Sequence, residues 1–304
     1  MTPATGSCGR TTVLLKAESF VLYRMEKKIK YTALLLCVIL GISCMFSFKN
    51  RQIIRIRDRE TVSFETMMKD VTSASTVFIG ERHDSPFHHK TQLDVIEALY
   101  EEGKPLAIGI EMFKKSNQHH LDAWISGDIS EKEFIPLFLQ NWGFGWNLYR
   151  DIFLYAREKG IPLIGLNVPR EITKKVGQTG FQSLTDEELS NLPPGVTCEL
   201  DGEYMDHLEM IFHYKKSSGR SFVYFCEAQV LWDQAMAWYL SEFIKSNPGR
   251  AVIVLAGAIH TWKYGIPKQT QRYLQGEQRV IVPDLPVGPE SISEDDADYF
   301  VIHG

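Results

Sequence analysis

Thr76-Val77-Phe78-Ile79-Gly80-Glu81-Arg82-His83-Asp84 is the stretch on which the reading of this chain turns. Its β-branched and apolar start reads as a short buried strand. Gly80 lets the backbone turn sharply where the strand ends. A carboxylate, a cation, an imidazole and a second carboxylate follow at once. Such a cluster belongs at the carboxyl edge of a sheet, where open α/β folds keep their sites.

Three further strands are expected on the same pattern. Leu106–Glu111 ends in a carboxylate, Pro162–Asn167 in an amide, and Ala251–Ala256 in Gly257-Ala258-Ile259-His260. Parallel strands share one carboxyl edge, so Glu81, His83, Glu111, Asn167 and His260 are expected to converge. Gly80-Glu81-Arg82-His83 and Gly257-Ala258-Ile259-His260 repeat one device, a glycine followed three residues later by a histidine.

Between the strands the pattern is helical. Ser63 caps a short helix to about Asp70. Leu93, Ile96, Leu99 and Tyr100 line one face of a second helix that ends at Gly103. A long helical stretch from about Ser116 to Tyr155 is broken by Gly127, Pro136, Gly143 and Gly145, with Trp142 and Trp146 read as core. Helical segments follow over Leu200–Tyr214 and Ser221–Ile244. The latter places Gln229 and Asp233 on one face. Arg279–Val282 and Tyr299–Ile302 are read as last strands, and Ile53–Ile56 as a first edge strand. The fold class is therefore α/β, with a mainly parallel sheet, helices on both faces and a helical insertion.

The chain has 304 residues, 44% hydrophobic and 23% charged, with net charge -5. That is globular composition with enough apolar material for a sizeable core. Without a basic excess to pair phosphates, nucleic acid is excluded as a partner. Five cysteines give neither a disulfide framework nor a zinc pattern. Cys198 and Cys226 are read as free thiols, with pairing open to them in an oxidising compartment.

The first 48 residues stand apart from a single domain over residues 49–304. Met25–Lys30 reads as the charged start of a signal sequence and Tyr31–Leu40 as its apolar core. The first 24 residues then form an over-extended start. Cys44, after Gly41-Ile42-Ser43, resembles the lipid-bearing cysteine of a bacterial lipoprotein, although Gly41 stands where a leucine is usual. The alternative is an uncleaved helix over Tyr31–Phe48, marginally long enough to span a bilayer. Either way the domain is exported and held at a membrane.

Two carboxylates and two imidazoles at one edge suit a divalent metal site or general-base hydrolysis. Glu81, His83, Glu111 and His260 are the candidate metal ligands, and with Gln229 and Asp233 the candidate catalytic set. His88 and His89, at a helix start, suit capping or packing as well as catalysis.

Taken together, Gly80–Asp84 with His88-His89, Ile110–Phe113, Trp142–Arg150, Ile161–Glu171, Ala228-Gln229 with Asp233, and Gly257–Pro267 resemble the ChaN-like family of haem-binding lipoproteins, within the Tiki and erythromycin-esterase superfamily. The resemblance implies a surface- or periplasm-facing lipoprotein in haem or iron acquisition, with an outer-membrane haem receptor as a partner. It implies a homodimer holding two haems face to face, each iron on a tyrosine of one subunit with a histidine of the other near the propionates. Tyr204 and Tyr214, with His207 and His213, are the candidate haem residues. Phenolate is a hard anionic donor suited to ferric iron. The competing expectation is a metal-dependent hydrolase of the erythromycin-esterase type.

Overall fold

The computed structural model describes residues 51–214, 221–284 and 288–303. The signal, anchor and Cys44 readings lie outside those residues. The chain divides into a unit of Met1–Arg51 and a compact unit of Gln52–Gly304, which carries the fold.

The second unit holds an eight-stranded sheet: β1 (Arg51–Arg55), β2 (Glu60–Val62), β3 (Thr76–Glu81), β4 (Leu106–Lys114), β5 (Leu163–Asn167), β6 (Ala251–Gly257), β7 (Gln278–Pro283) and β8 (Tyr299–His303), in the spatial order β2-β1-β8-β7-β3-β6-β4-β5. The β3–β6, β3–β7, β4–β5, β4–β6 and β7–β8 pairs are parallel, and the β1–β2 hairpin is antiparallel.

Alternation along the strands explains why both faces are covered. Val77, Ile79, Ile108, Ile110, Ile253 and Leu255 enter one core. Phe78, Ala107, Val252, Val254, Val280 and Val282 enter the other. Each of these Val, Ile, Leu and Phe side chains, removed from water, contributes about 1.5–3 kcal/mol.

Over the first face lie α1 (Phe64–Val71), α2 (Pro86–Glu101), α3 (Gln118–Ser126), α4 (Glu131–Trp142) and α5 (Trp146–Lys159). Next come α6 (Arg170–Thr179), α7 (Asp186–Ser190) and α8 (Gly202–Tyr214). Over the second face lie the long α9 (Phe222–Ser246), the short α10 (Ala258–Thr261) and α11 (Ile266–Gln271). Ser63 caps α1 by accepting from the Thr66 amide.

The stretch from Ser116 to Tyr155, as expected, is broken up by glycines, into three helices. It breaks at Gly127 and at the Gly143–Gly145 turn, where the glycines take positive φ. Three expectations need correction. Pro136 does not break α4; it and Lys132, whose carbonyl loses its partner, are exposed, so water satisfies the group. β1 is not the edge strand, because the short polar β2 covers it. β4 runs past Glu111 to Lys114, and its register with β5 shifts between Ile110 and Lys114. Glu111 therefore sits in an irregular stretch of strand that turns its side chain toward β6.

Candidate functional site

β3 and β6 pair with Glu81 opposite Gly257, so their ends come into register at the carboxyl edge. Glu81 is buried there. One of its oxygens accepts from His83 Nδ1 at 2.8 Å and from the Tyr149 hydroxyl of α5. The other accepts from Gln92 Nε2 of α2 at 2.8 Å, with His89 Nε2 at 3.6 Å. Burial pushes the Glu81 carboxyl up, but the His83 hydrogen bond and the charge of His89 outweigh it and hold the carboxyl below its usual range. Burial and the Glu81 charge push the Tyr149 phenol far up, so Tyr149 stays a donor.

A second cluster is built on Glu111 and His260, both buried. Glu111 Oε2 accepts the Gly257 amide at 2.7 Å, and His260 Nε2 lies 3.8 Å from its other oxygen. His260 Nδ1 meets Asp233 Oδ1 of α9 at 2.7 Å. The other Asp233 oxygen accepts from Tyr204 of α8 at 2.5 Å. Burial alone lowers the His260 imidazole, but Asp233 and Glu111 facing it raise it above its usual value. Asp233 is itself pushed up by burial. With two carboxylates facing one imidazole, the shared proton belongs on His260.

Gly257 joins the clusters. A Cβ there would stand 2.9 Å from His83 Cε1, too close unless the ring shifts, and 3.6 Å from Glu111 Oε2, an ordinary contact. The indoles of Trp142 and Trp232 meet His83 and His260 edge-on, at 4.9 and 5.5 Å between ring centroids. Trp232 Nε1 donates to Asn167 Oδ1, and Asn167 Nδ2 donates to the Glu111 carbonyl. Glu81 with His83, and Asp233 with His260, are thus hydrogen-bonded pairs, with Glu111 bonded to the Gly257 amide and 3.8 Å from His260. Gln229, buried, lies one turn before Asp233 in α9.

The expected metal site is not formed. Among the described residues no three His, Cys, Asp or Glu side chains are placed to share an ion. The physical reason is occupancy: both Glu81 oxygens, both Asp233 oxygens and one Glu111 oxygen are engaged by protein donors. Only His83, with its side chain 36% exposed, faces outward. The arrangement holds protons and charge in fixed positions.

His88 is a brace. Its Nδ1 accepts the Arg82 amide at 2.7 Å and its Nε2 donates to Asp284 at 2.9 Å. Those two bonds fix its tautomer and the loop that carries Glu81 and His83. Gln92, Tyr149 and Trp232 were missed as partners of these groups. Gln92 sits at the fourth residue after His88, one helical turn on, which is the signal that could have found it.

Tyr204 does not face an outside ligand. α8 presents an inward face, Tyr204 is buried, and Asp233 engages its hydroxyl. Burial and Asp233 raise that phenol far above its usual value. His207, one turn later, meets the Tyr264 hydroxyl, with the Trp262 ring 4.3 Å from its own. Burial pushes the His207 imidazole down to about 3, so it is neutral. His207 and Tyr264 line a cavity of about 680 Å³ with Glu203, Lys268, Glu294 and Asp295. The side chains of His213 and Tyr214 lie outside the described residues. Near the end of α8, Phe212 packs on Phe222 and Phe225, with centroids 5.2 and 5.3 Å apart. Leu200, Met205, Phe222, Phe225 and Tyr264 pack as half-buried side chains on one small apolar cluster.

The fold is similar to that of a solved ChaN structure from Campylobacter jejuni, described as binding haem cofacially. That match has a TM-score of 0.67 at 21% identity and covers 84% of this chain and 98% of that one. A mutant erythromycin esterase in its open conformation matches with a TM-score of 0.45 at 15% identity, over 83% of this chain and 82% of that one. The type III effector HopBA1 matches with a TM-score of 0.43 at 14% identity, over 79% and 92%. No curated protein matches. Residues 67–270, about two thirds of the chain, match the family described as haem-binding uptake, Tiki superfamily, ChaN. The chain belongs to that haem-binding uptake family.

Proposed function

We propose that this protein binds haem and serves haem or iron acquisition outside the cytoplasm, held at a membrane through lipid on Cys44 or an N-terminal helix. The observation that carries the proposal is the family match over residues 67–270. The residues of the α8–α9 region support it. A porphyrin needs a broad apolar face, and Leu200, Met205, Phe222 and Phe225 offer half-buried apolar surface beside exposed Val223. Phenol and imidazole donors stand next to that surface in Tyr264 and His207. Haem, when bound, would supply ferric iron, which a hard anionic oxygen suits. A second copy closing over the same region would cover the other face of the macrocycle, which is the homodimer this reading expects. Delivery from an outer-membrane haem receptor belongs to the same reading.

The test is an absorption titration of residues 49–304 with haemin. A saturable Soret band and a red protein are expected. Absence of saturable uptake overturns the proposal.

A further inference from the structure

We infer that His88 is an acid-sensitive latch on the loop that carries His83. Neutral, it ties the exit of β3 to the stretch after β7. With a second proton on its ring, it lets the exit of β3 go.

The first step is the tautomer. His88 stands at the start of α2 and is 1% exposed, so its ring has protein on all sides. Its Nδ1 lies 2.7 Å from the Arg82 amide, and a backbone N–H can only donate. Nδ1 therefore carries a lone pair. The single ring proton is on Nε2, where it reaches Asp284 Oδ1 at 2.9 Å. Asp284 is fixed in turn, because its amide donates to the Val301 carbonyl of β8 at 2.8 Å. One neutral imidazole thus joins the exit of β3, the start of α2 and the stretch after β7.

The second step is what a further proton does. A proton on Nδ1 sets N–H against N–H at 2.7 Å, two donors with no acceptor. Turning the ring over would put carbon at both positions and give up Asp284 as well. The Asp284 carboxylate holds an imidazolium more tightly than a neutral ring. The bond that yields is therefore the one to Arg82. Arg82 is exposed, so its freed amide finds water while His88 stays in place. The turn is also tied within itself. Arg82 Nε donates to Asp84 at 2.9 Å, and the Ser85 amide donates to the Arg82 carbonyl at 2.9 Å. It therefore moves as a unit.

The groups around the ring set the direction. Asp284 and Glu81 favour the imidazolium, and Asp84 on the same turn does so too. Arg82 opposes it, and burial opposes it most, so the imidazole is pushed below its usual 6.5. His89, next in α2, is turned to the Ser85 carbonyl. On β8, His303 packs edge-on to Phe87, whose ring lies 5.9 Å from that of His88. The latch is closed above 6.5 and opens as pH falls through the lower folded value. Glu81 and His83 flank Arg82, so opening disturbs the His83–Glu81 bond and the contact of His83 with Trp142. The carboxyl-edge cluster is held in place at neutral pH and loosened in acid.

The experiment uses the full chain in detergent, with isotope-labelled arginine, histidine and tryptophan, followed by NMR through a pH series. The Arg82 amide and the Trp142 indole are assigned by their loss in Arg82→Lys and Trp142→Phe. In the wild-type chain both signals are expected to move together with the His88 ring as pH falls below 6.5. His88→Gln keeps an acceptor and a donor at this position but does not titrate, and is expected to abolish the transition in both signals. Asp284→Asn removes a charge that favours the imidazolium, and is expected to move the transition to lower pH. It carries the test if His88→Gln folds poorly. A transition at unchanged pH in either variant overturns the proposal. An Arg82 amide that holds still in the wild-type chain while the His88 ring titrates overturns it as well.

Discussion

Glu81 shows how a single buried carboxylate organises its surroundings. It stays ionised because His83, Gln92 and Tyr149 donate to it. Its carboxyl is held below the usual 4.5, so its contribution to stability is full above that pH and is lost as pH falls through the folded value. Glu81→Gln is expected to lower stability at pH 7 by about 2 kcal/mol and to flatten the acid limb of a thermal-melt series. An unchanged acid limb would place the acid sensitivity elsewhere. His260 works in the opposite sense. Its folded value is raised, so its contribution is full below 6.5 and is lost as pH rises through the folded value. Asp233→Asn is expected to drop the His260 imidazole below its wild-type value, as read by histidine NMR signals. A signal that titrates as before would mean that Asp233 does not hold the proton on His260.

At the scale of elements, the site depends on how closely β3, β6 and α10 approach. Gly80 and Gly257 are the contact points: a Cβ on Gly80 would stand 2.6 Å from Thr261 Oγ1, and one on Gly257 would meet the His83 ring. Gly257→Ala is therefore expected to push the His83 imidazole outward and to move its ring NMR signals, with the sheet intact by circular dichroism. Unaltered His83 signals would show that the loop absorbs the methyl group. The elements themselves were legible where pattern and capping agreed. The apolar runs of β3, β5 and β6 and the serine cap at Ser63 read directly as strand and helix boundaries. β2 was not legible, because Glu60-Thr61-Val62 is too short and polar to signal a strand before β1 pairs with it. Pro136 misled for the converse reason: a proline on an exposed helix face costs little where water reaches the freed carbonyl.

For the whole molecule, the proposed function assigns membrane attachment to the first 48 residues. Among the described residues no helix is long and apolar enough to cross a membrane. Lipid on Cys44 predicts that a fatty-acid label is carried by the wild-type chain and lost in Cys44→Ala. A label that persists in that variant removes the lipid from Cys44.

The sequence by itself determined the α/β class, the glycine-then-histidine exits of β3 and β6, and the family resemblance. Those features are local: strand periodicity, a residue type at a turn, a motif in order. It also named Glu81, His83, Glu111, Asp233 and His260, since each follows a strand or shares a helix face. Tertiary structure alone decided what those groups do to one another. Whether a carboxylate meets a metal or a set of protein donors depends on which helix lies over it, and α2, α5 and α9 bring Gln92, Tyr149 and Asp233 from distant parts of the chain. The same holds for the tyrosines. Tyr204 and Tyr264 are equal in composition, but the packing of α8 on α9 commits one to Asp233 inside the core and sets the other beside His207 at a cavity. Periodicity gives the face of a helix; only packing fixes what that face meets.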